Sequence, residues 1–153
     1  MITRADILNT ARGLLGVKWV HMGRDPVNGI DCGGLLVCIA RAHGIPYTDF
    51  EGWYSPLPDG HTLVEVLRKS LVEIPVEQAT LGSVLVFGMP GMAPKGRERE
   101  LPQHIGLLSE IEPARRMIHS SNRSAYMRVI ETMIPARWEP NISHAFDFPG
   151  VEV

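Results

Sequence analysis

The sequence predicts an α+β fold in which N-terminal helices precede an antiparallel β-sheet. Apolar residues follow a helical period in the early part of the chain and alternate with polar residues, as in strands, after about residue 83. Fifteen glycines and twelve prolines indicate many turns between short elements. Single domains usually hold about 100–200 residues. We therefore expect residues 1–153 to form one domain of the α+β class.

The first helix is predicted over roughly residues 3–15. Thr3 and Asp6 have the spacing of a capping box, in which each side chain bonds the backbone of the other residue. Apolar residues follow at helical intervals, and Gly16 marks the end of the helix. A loop rich in turn-forming residues then leads to Ile30-Asp31-Cys32.

A second helix is predicted from Cys32 to His43, with Gly44 as its stop signal. Cys32 is therefore expected at the N-terminus of this helix. The region 46–59 combines aromatic, proline and acidic residues and is predicted to be a long loop. A third helix follows over roughly 62–72.

The strands come after the helices. Short alternating runs separated by turn-formers predict an antiparallel sheet, with strands over 83–87, 104–108, 116–119 and 127–130. Between the first two runs, a polar loop over 89–102 carries Lys95, Arg97 and Arg99 and ends beside His104. One of these cations beside His104 would suit a carboxylate of a substrate, although such a run is more often a solvated loop.

The composition excludes several classes of protein. Apolar residues make up 44% and charged residues 21% of the chain, which is typical of a folded globular protein and not of a disordered one. A net charge of -2 leaves no positive field for nucleic acid. No segment is long enough to span a membrane. The N-terminus lacks the pattern of a secretory signal, so we expect the chain to be made in the cytoplasm and not exported by its own signal.

The two cysteines are predicted to be free thiols, because two are too few for a disulfide framework. Cys32 and Cys38 also lack the short spacing of zinc ligands, and no paired histidines stand near them. We therefore predict neither a metal site nor a cofactor.

A cysteine at a helix N-terminus is a candidate nucleophile. The thiolate is the attacking form, and a free pKa of about 8.5 falls to roughly 3.5–7.5 where a helix N-terminus and an imidazolium stabilise it. The unpaired N–H groups of the first turn would also hold the oxyanion formed on an attacked carbonyl. Gly33 and Gly34, which follow Cys32, leave space for a substrate.

The base must be one of six histidines, and strand geometry selects two of them. If the strands around 104–110 and 115–121 form a hairpin that turns at Glu112-Pro113, the numbers of facing residues add up to about 225. His104 and His119 then lie diagonally on one face, within side-chain reach, whereas a slip by one residue would separate them. The alternative is purely structural, since free cysteines are often buried and strand histidines often only complete the packing.

Four segments carry a resemblance to a known family: GVKWVHMGRDPVNGIDCGGLLVCIARAHGI, LGSVLVFGM, QHIGLLSE and RRMIHSS. In order and spacing, over approximately residues 10–122, they resemble the NlpC-type cell-wall peptidases, which are papain-like enzymes with a Cys-His-polar triad. The resemblance implies a papain-like fold with N-terminal helices packed on a central antiparallel sheet. It also implies that Cys32 is the nucleophile, His104 the base and His119 the residue that orients it.

The resemblance suggests substrate contacts as well, with departures from the family pattern. Asp31 matches the family's residue before the nucleophile. The role we favour for it, however, is to hydrogen-bond the loop or the start of the helix. Gly33 replaces the usual serine, and Ser83 replaces an aspartate on the following strand. Trp19 stands where a tyrosine is common. His21 close by would either replace that tyrosine as a donor or pack the loop.

The resemblance implies an endopeptidase for peptidoglycan stem peptides, acting between D-glutamate and a diamino acid. The ending from Trp138 to Gly150 resembles the branch found in phage tails and gene transfer agents. Tail proteins are then expected partners, and incorporation in a phage-like tail would bring the protein to the periplasmic wall. The alternatives are a catalytically weak structural tail-tip component, or an amidase or acyltransferase of the same fold acting on another substrate.

Overall fold

The computed structural model describes residues 1–55, 59, 61–91 and 93–152. Its three helices are α1 (Arg4–Gly13), α2 (Cys32–Ala42) and α3 (Thr62–Ser70). Its strands are β1 (Ile2–Thr3), β2 (Arg24–Asp25), β3 (Gly29–Ile30), β4 (Val72–Ile74), β5 (Val84–Gly88), β6 (Pro102–Glu110), β7 (Arg116–Ser121), β8 (Arg128–Met133), β9 (Ile142–Asp147) and β10 (Val151–Glu152). Within the described residues, none of the helices has the length and apolar character needed to cross a membrane.

The predicted α+β class is confirmed by a six-stranded antiparallel sheet in the order β4-β9-β5-β6-β7-β8. All four predicted strands belong to it, as β5 to β8. The sequence did not predict β9, which lies between β4 and β5. Its pairing with β5 shifts register between Val86 and Phe87, and this bulge breaks the alternation of buried and exposed residues on which strand prediction relies.

The predicted helix starts are also found. The Thr3 hydroxyl accepts a hydrogen bond from the Asp6 backbone N–H at 3.1 Å, and the Asp6 carboxylate accepts one from the Thr3 N–H at 2.9 Å. The capping box therefore starts α1 as predicted. The third helix is shorter than predicted. Helix α3 ends at Ser70 and not near residue 72, because Val72 already belongs to β4 and pairs with Asp147 of β9.

The middle of helix α2 is buried between the sheet and α1. Every residue from Gly34 to Ala40 is buried, and the main core joins Leu35 and Ile39 of this helix to Ile105 and Ile118 of the sheet. A second core on the opposite face of the sheet includes Trp138. This packing fixes the N-terminus of α2 against the middle of the sheet.

The hairpin of β6 and β7 has the predicted register. Leu107 faces Ile118 and Leu108 faces Met117, so facing residues on the side of the histidines add up to 225, whereas Glu110 faces Arg116 across a bulge next to the turn. The connection contains the predicted Glu112-Pro113 turn, with a cis peptide bond. His104 and His119 therefore lie on the same face of the sheet.

Candidate active site

A cleft of about 600 Å³ opens where the start of α2 meets β6 and the loop that precedes α3. Six of the seven site residues predicted from the sequence line it: Trp19, His21, Asp31, Cys32, Gly33 and His104. The seventh, His119, lies in a second layer behind His104. The volume is within the usual range for a ligand site.

The two histidines form a buried, hydrogen-bonded pair. His104 Nε2 lies 2.8 Å from His119 Nδ1, and the two rings are nearly perpendicular, with an interplanar angle of 80°. Both side chains are buried. The Trp138 ring packs edge-on against both, at 6.0 Å and 6.4 Å between ring centroids. The second nitrogen of His119 contacts Thr132 Oγ1 at 3.1 Å.

Cys32 is the first residue of α2 and is partly exposed to the cleft. The backbone N–H groups of Gly33 and Ile105 are near enough to its sulfur to lower the pKa of the thiol. Because Ile105 follows His104 directly on β6, the thiol lies beside the strand that carries the histidine. A helix N-terminus and a buried imidazole thus meet at one side of the cleft.

The thiol is neutral at neutral pH, which differs from the activated thiol expected from the helix position. Burial, followed by the negative charge of Asp31, raises the pKa of Cys32 to about 12. These effects outweigh the two N–H groups that lower it. Burial and the neighbouring His119 hold the pKa of His104 well below its usual value.

The neutral thiol gives a first prediction, on the pH dependence of alkylation. Because only the thiolate reacts and the pKa of Cys32 is about 12, we expect the rate with iodoacetamide to rise about tenfold per pH unit from pH 6 to 9. Mass spectrometry of the Cys38→Ala protein measures Cys32 alone. A rate that reaches a plateau between pH 5 and 7 would contradict the neutral thiol and show a preformed thiolate.

Asp31 caps α2 and organises the loop around it. Its carboxylate accepts hydrogen bonds from the backbone N–H of Gly34 at 2.8 Å and of Met22 at 2.9 Å, from Arg24 Nη1 at 2.8 Å, and from the Tyr54 hydroxyl. A carboxylate has about four acceptor positions, so these four bonds leave little capacity for a substrate. The geometry therefore favours the capping role of Asp31 over the substrate contact.

Arg24, which sequence reasoning missed, connects the cleft loop to the nucleophile helix. Besides Asp31, its guanidinium donates to both oxygens of Asp49, at 2.7 Å and 3.2 Å, and to the Tyr54 hydroxyl at 2.9 Å. Asp49 and Tyr54 both belong to the loop that forms one wall of the cleft. They lie 25 and 30 residues from Arg24 in the chain, so no local pattern indicates this network.

Aromatic rings form the outer wall of the cleft. His21 stacks on Trp19 with a centroid separation of 6.3 Å and meets the edge of Trp53 at 6.0 Å. His21 Nε2 also lies 2.8 Å from the Tyr54 carbonyl oxygen, to which it donates. This bond fits the loop-packing alternative for His21. Trp53 is 70% exposed, which leaves a large apolar surface free at the mouth of the cleft.

The two glycines after Cys32 differ in their surroundings. A Cβ at Gly34 would lie 2.1 Å from the Gly23 carbonyl oxygen, so the chain requires glycine there. A Cβ at Gly33 would have its nearest neighbours at 3.6 Å, which is ordinary van der Waals contact. Gly33 therefore tolerates a side chain, and its value in the cleft is the space it leaves beside Cys32.

In the part of the chain that the structure describes, neither a metal-binding group nor the basic loop contributes to the site. Among the described residues, no group of three His, Cys, Asp or Glu side chains is arranged to hold a metal ion. The cations Lys95, Arg97 and Arg99 are absent from the described lining of the cleft. Arg97 instead pairs with Glu100 on the surface.

No protein-family model matches the sequence, and no curated protein does. Solved structures do match. An NlpC/P60 family protein from Bacillus cereus ATCC 10987 has a TM-score of 0.67 at 20% identity, over 95% of this chain and 40% of that one. A lipoprotein-like NLP/P60 family protein from Staphylococcus aureus has a TM-score of 0.62 at 17% identity, over 95% and 41%. This chain thus spans about two fifths of those two proteins.

Shorter matches cover nearly the whole of both chains. The NlpC/p60 domain of the peptidoglycan hydrolase SagA has a TM-score of 0.58 at 22% identity, over 95% of this chain and 99% of that domain. RipD from Mycobacterium tuberculosis, a non-catalytic NlpC/p60 domain protein adapted to peptidoglycan binding, has a TM-score of 0.57 at 15% identity, over 94% and 95%. The predicted NlpC-type fold is therefore confirmed.

Proposed function

We propose that this protein is a cysteine peptidase that hydrolyses an amide bond in peptidoglycan stem peptides. Cys32 is the nucleophile, His104 the base and His119 the residue that orients His104. The observation that carries the proposal is that a thiol at a helix N-terminus and His104 line one cleft, with His119 hydrogen-bonded to His104 from behind. The likeness to a structure described as a peptidoglycan hydrolase domain supports the choice of substrate.

The mechanism begins with two neutral groups. His104 uses Nε2 to contact His119, so its Nδ1 is the atom that takes the thiol proton as sulfur attacks the substrate carbonyl. N–H groups in the first turn of α2 hold the resulting oxyanion. The imidazolium then protonates the leaving amine, and water hydrolyses the acyl-enzyme with His104 again acting as base.

Within stem peptides, we propose the bond between D-glutamate and the diamino acid, on the strength of the motif resemblance. Incubation with purified stem peptides, followed by mass spectrometry of the products, tests both the activity and the bond. We expect two fragments that separate at this bond. Intact peptide after prolonged incubation would refute the peptidase, while cleavage elsewhere would correct only the bond.

A second candidate is a peptidoglycan-binding protein without useful turnover, such as a structural tail-tip component. The raised pKa of the Cys32 thiol and the likeness to a non-catalytic domain of the same fold favour it. Sedimentation with insoluble peptidoglycan, with no fragments released into solution, would support this candidate. An amidase or acyltransferase acting on another substrate would instead leave stem peptides uncleaved and the wall unbound.

We also propose that the protein acts as part of a phage-like tail, which would carry it to the periplasmic wall. The support is the resemblance of the segment from Trp138 to Gly150 to the phage tail and gene transfer agent branch. Purified particles probed with an antibody against this chain test the association. Detection only in particle-free fractions would refute it.

The exposed Trp53 is expected to contribute to substrate binding and not to chemistry. Because its ring stands at the cleft mouth, Trp53→Ala should raise KM about five-fold, which corresponds to one lost aromatic contact, and leave kcat unchanged. Steady-state kinetics on stem peptide measures both constants. Val27→Ala, another strongly exposed apolar position outside the described cleft lining, is the matched control. A fall in kcat with unchanged KM would contradict this role.

A further inference from the structure

The histidine pair continues to a hydroxyl group on the next strand. His119 faces Ile130 across the β7–β8 pairing, so Thr132 is its diagonal neighbour on the same face of the sheet. Thr132 Oγ1 lies 3.1 Å from His119 Nε2, and His119 Nδ1 lies 2.8 Å from His104 Nε2. The hydrogen bonds therefore run in one line from His104 through His119 to Thr132.

The protons along this line of hydrogen bonds can be arranged in two ways. The contact between the two histidines needs one N–H and one lone pair. If His104 Nε2 carries the proton, His119 Nδ1 accepts it, His119 Nε2–H donates to Thr132, and His104 Nδ1 remains a free base. In the opposite arrangement, His119 Nδ1 donates to His104 Nε2, and the proton of the neutral His104 ring is on Nδ1. His104 Nδ1 then has no lone pair with which to accept the thiol proton.

Protonation of His104 during the reaction allows only the first arrangement. An imidazolium carries N–H on both nitrogens, so His104 Nε2 must donate and His119 Nδ1 must accept. His119 Nε2 then carries a proton at a buried position and needs an acceptor. Burial and the positive charge of Arg123 lower the pKa of His119 to about 4, so His119 stays neutral and the second proton remains on His104.

We infer that Thr132 is a positioning residue, whose hydroxyl accepts from His119 and thereby holds His104 in the tautomer that can take the thiol proton. The inference deepens the proposed function and rests on it, because it assumes that His104 is the base. It adds a fourth member to the line Cys32, His104 and His119. Thr132 touches neither the cleft nor the thiol, and it acts only through His119.

Thr132→Val and Thr132→Ser are the matched variants, because valine keeps the shape without the hydroxyl and serine keeps the hydroxyl. We expect Thr132→Val to lower kcat roughly five-fold, as expected for one lost hydrogen bond, with KM unchanged. Thr132→Ser should stay within about two-fold of the parent. Equal kcat values for Thr132→Val and the parent would overturn the inference, and so would an equal loss in both variants. Circular dichroism shows that each variant is folded.

A second readout does not depend on activity. In the inactive Cys32→Ala protein, nitrogen-15 NMR of the imidazoles should show His119 protonated at Nε2, and Thr132→Val should convert it to a mixture of tautomers. Unchanged tautomers would overturn the inference even in an active enzyme. If the wild type cleaves no peptide, the proposed function fails, and the tautomer measurement still decides whether Thr132 fixes His119.

Discussion

Replacing Cys32 with alanine is expected to abolish peptide cleavage, lowering kcat/KM by a factor of at least about 10³. Among the described residues that line the cleft, the Cys32 sulfur is the only nucleophile at the N-terminus of α2. Alanine retains the helical backbone and leaves the Asp31 cap intact. The loss of activity should therefore occur without a loss of structure, which thermal unfolding of the variant verifies.

Cys38→Ala is the matched control. Cys38 lies in the same helix, is buried, and is held by a weak contact from its sulfur to the Arg24 carbonyl oxygen at 3.8 Å. We expect this variant to lose about 1 kcal/mol of stability and to cleave like the wild type. Equal cleavage by Cys32→Ala and the wild type would refute the nucleophile. Equal inactivation by both substitutions would show that the helix, and not the Cys32 sulfur, is what activity requires.

Features of the fold with a local signal were predictable from the sequence. The capping box at Thr3 and Asp6 fixed the start of α1, and the helical period after Cys32 fixed α2. The β6–β7 register near the histidines agrees with a turn at Glu112-Pro113, although a bulge between Leu108 and Glu110 shifts the pairing by one residue close to the turn. The histidine pair was found in this way, since it depends only on that register.

Contacts between distant segments were not predictable. Arg24, Asp49 and Tyr54 meet because the cleft loop folds back over the start of α2, and no periodicity records such a return. Thr132 was missed for a related reason. Its strand was predicted only over 127–130, two residues short of the hydroxyl that contacts His119.

The charge state of the thiol was missed because it depends on burial, which the sequence does not provide. A helix N-terminus alone lowers the pKa of a cysteine, and the sequence indicated that position correctly. Asp31 is present at the same terminus as its cap, however, and its negative charge raises the pKa of Cys32. One carboxylate thus stabilises the helix that carries the nucleophile and opposes ionisation of that nucleophile.

Asp31→Asn is expected to separate these two effects. Asparagine is as good an N-cap as aspartate, but it leaves the half-buried guanidinium of Arg24 without the 2.8 Å ion pair it makes with Asp31. Because Arg24 keeps its pair with Asp49, the loss should be smaller than for a fully buried charge left alone, and we expect the free energy of unfolding to fall by about 2 kcal/mol. Removing the negative charge should also lower the pKa of Cys32, because less repulsion opposes the thiolate. We therefore expect a less stable protein whose thiol reacts faster at pH 8.

Urea unfolding and iodoacetamide alkylation measure the two effects on the same samples. Asp49→Asn is the matched control, because Asp49 pairs with the same guanidinium at 2.7 Å but is more exposed and is not among the main causes of the raised pKa of Cys32. It should lose less stability, about 1 kcal/mol, and alkylate at the wild-type rate. Faster alkylation in both variants would trace the effect to loosening of the loop. Unchanged alkylation in Asp31→Asn would show that burial alone keeps the thiol neutral.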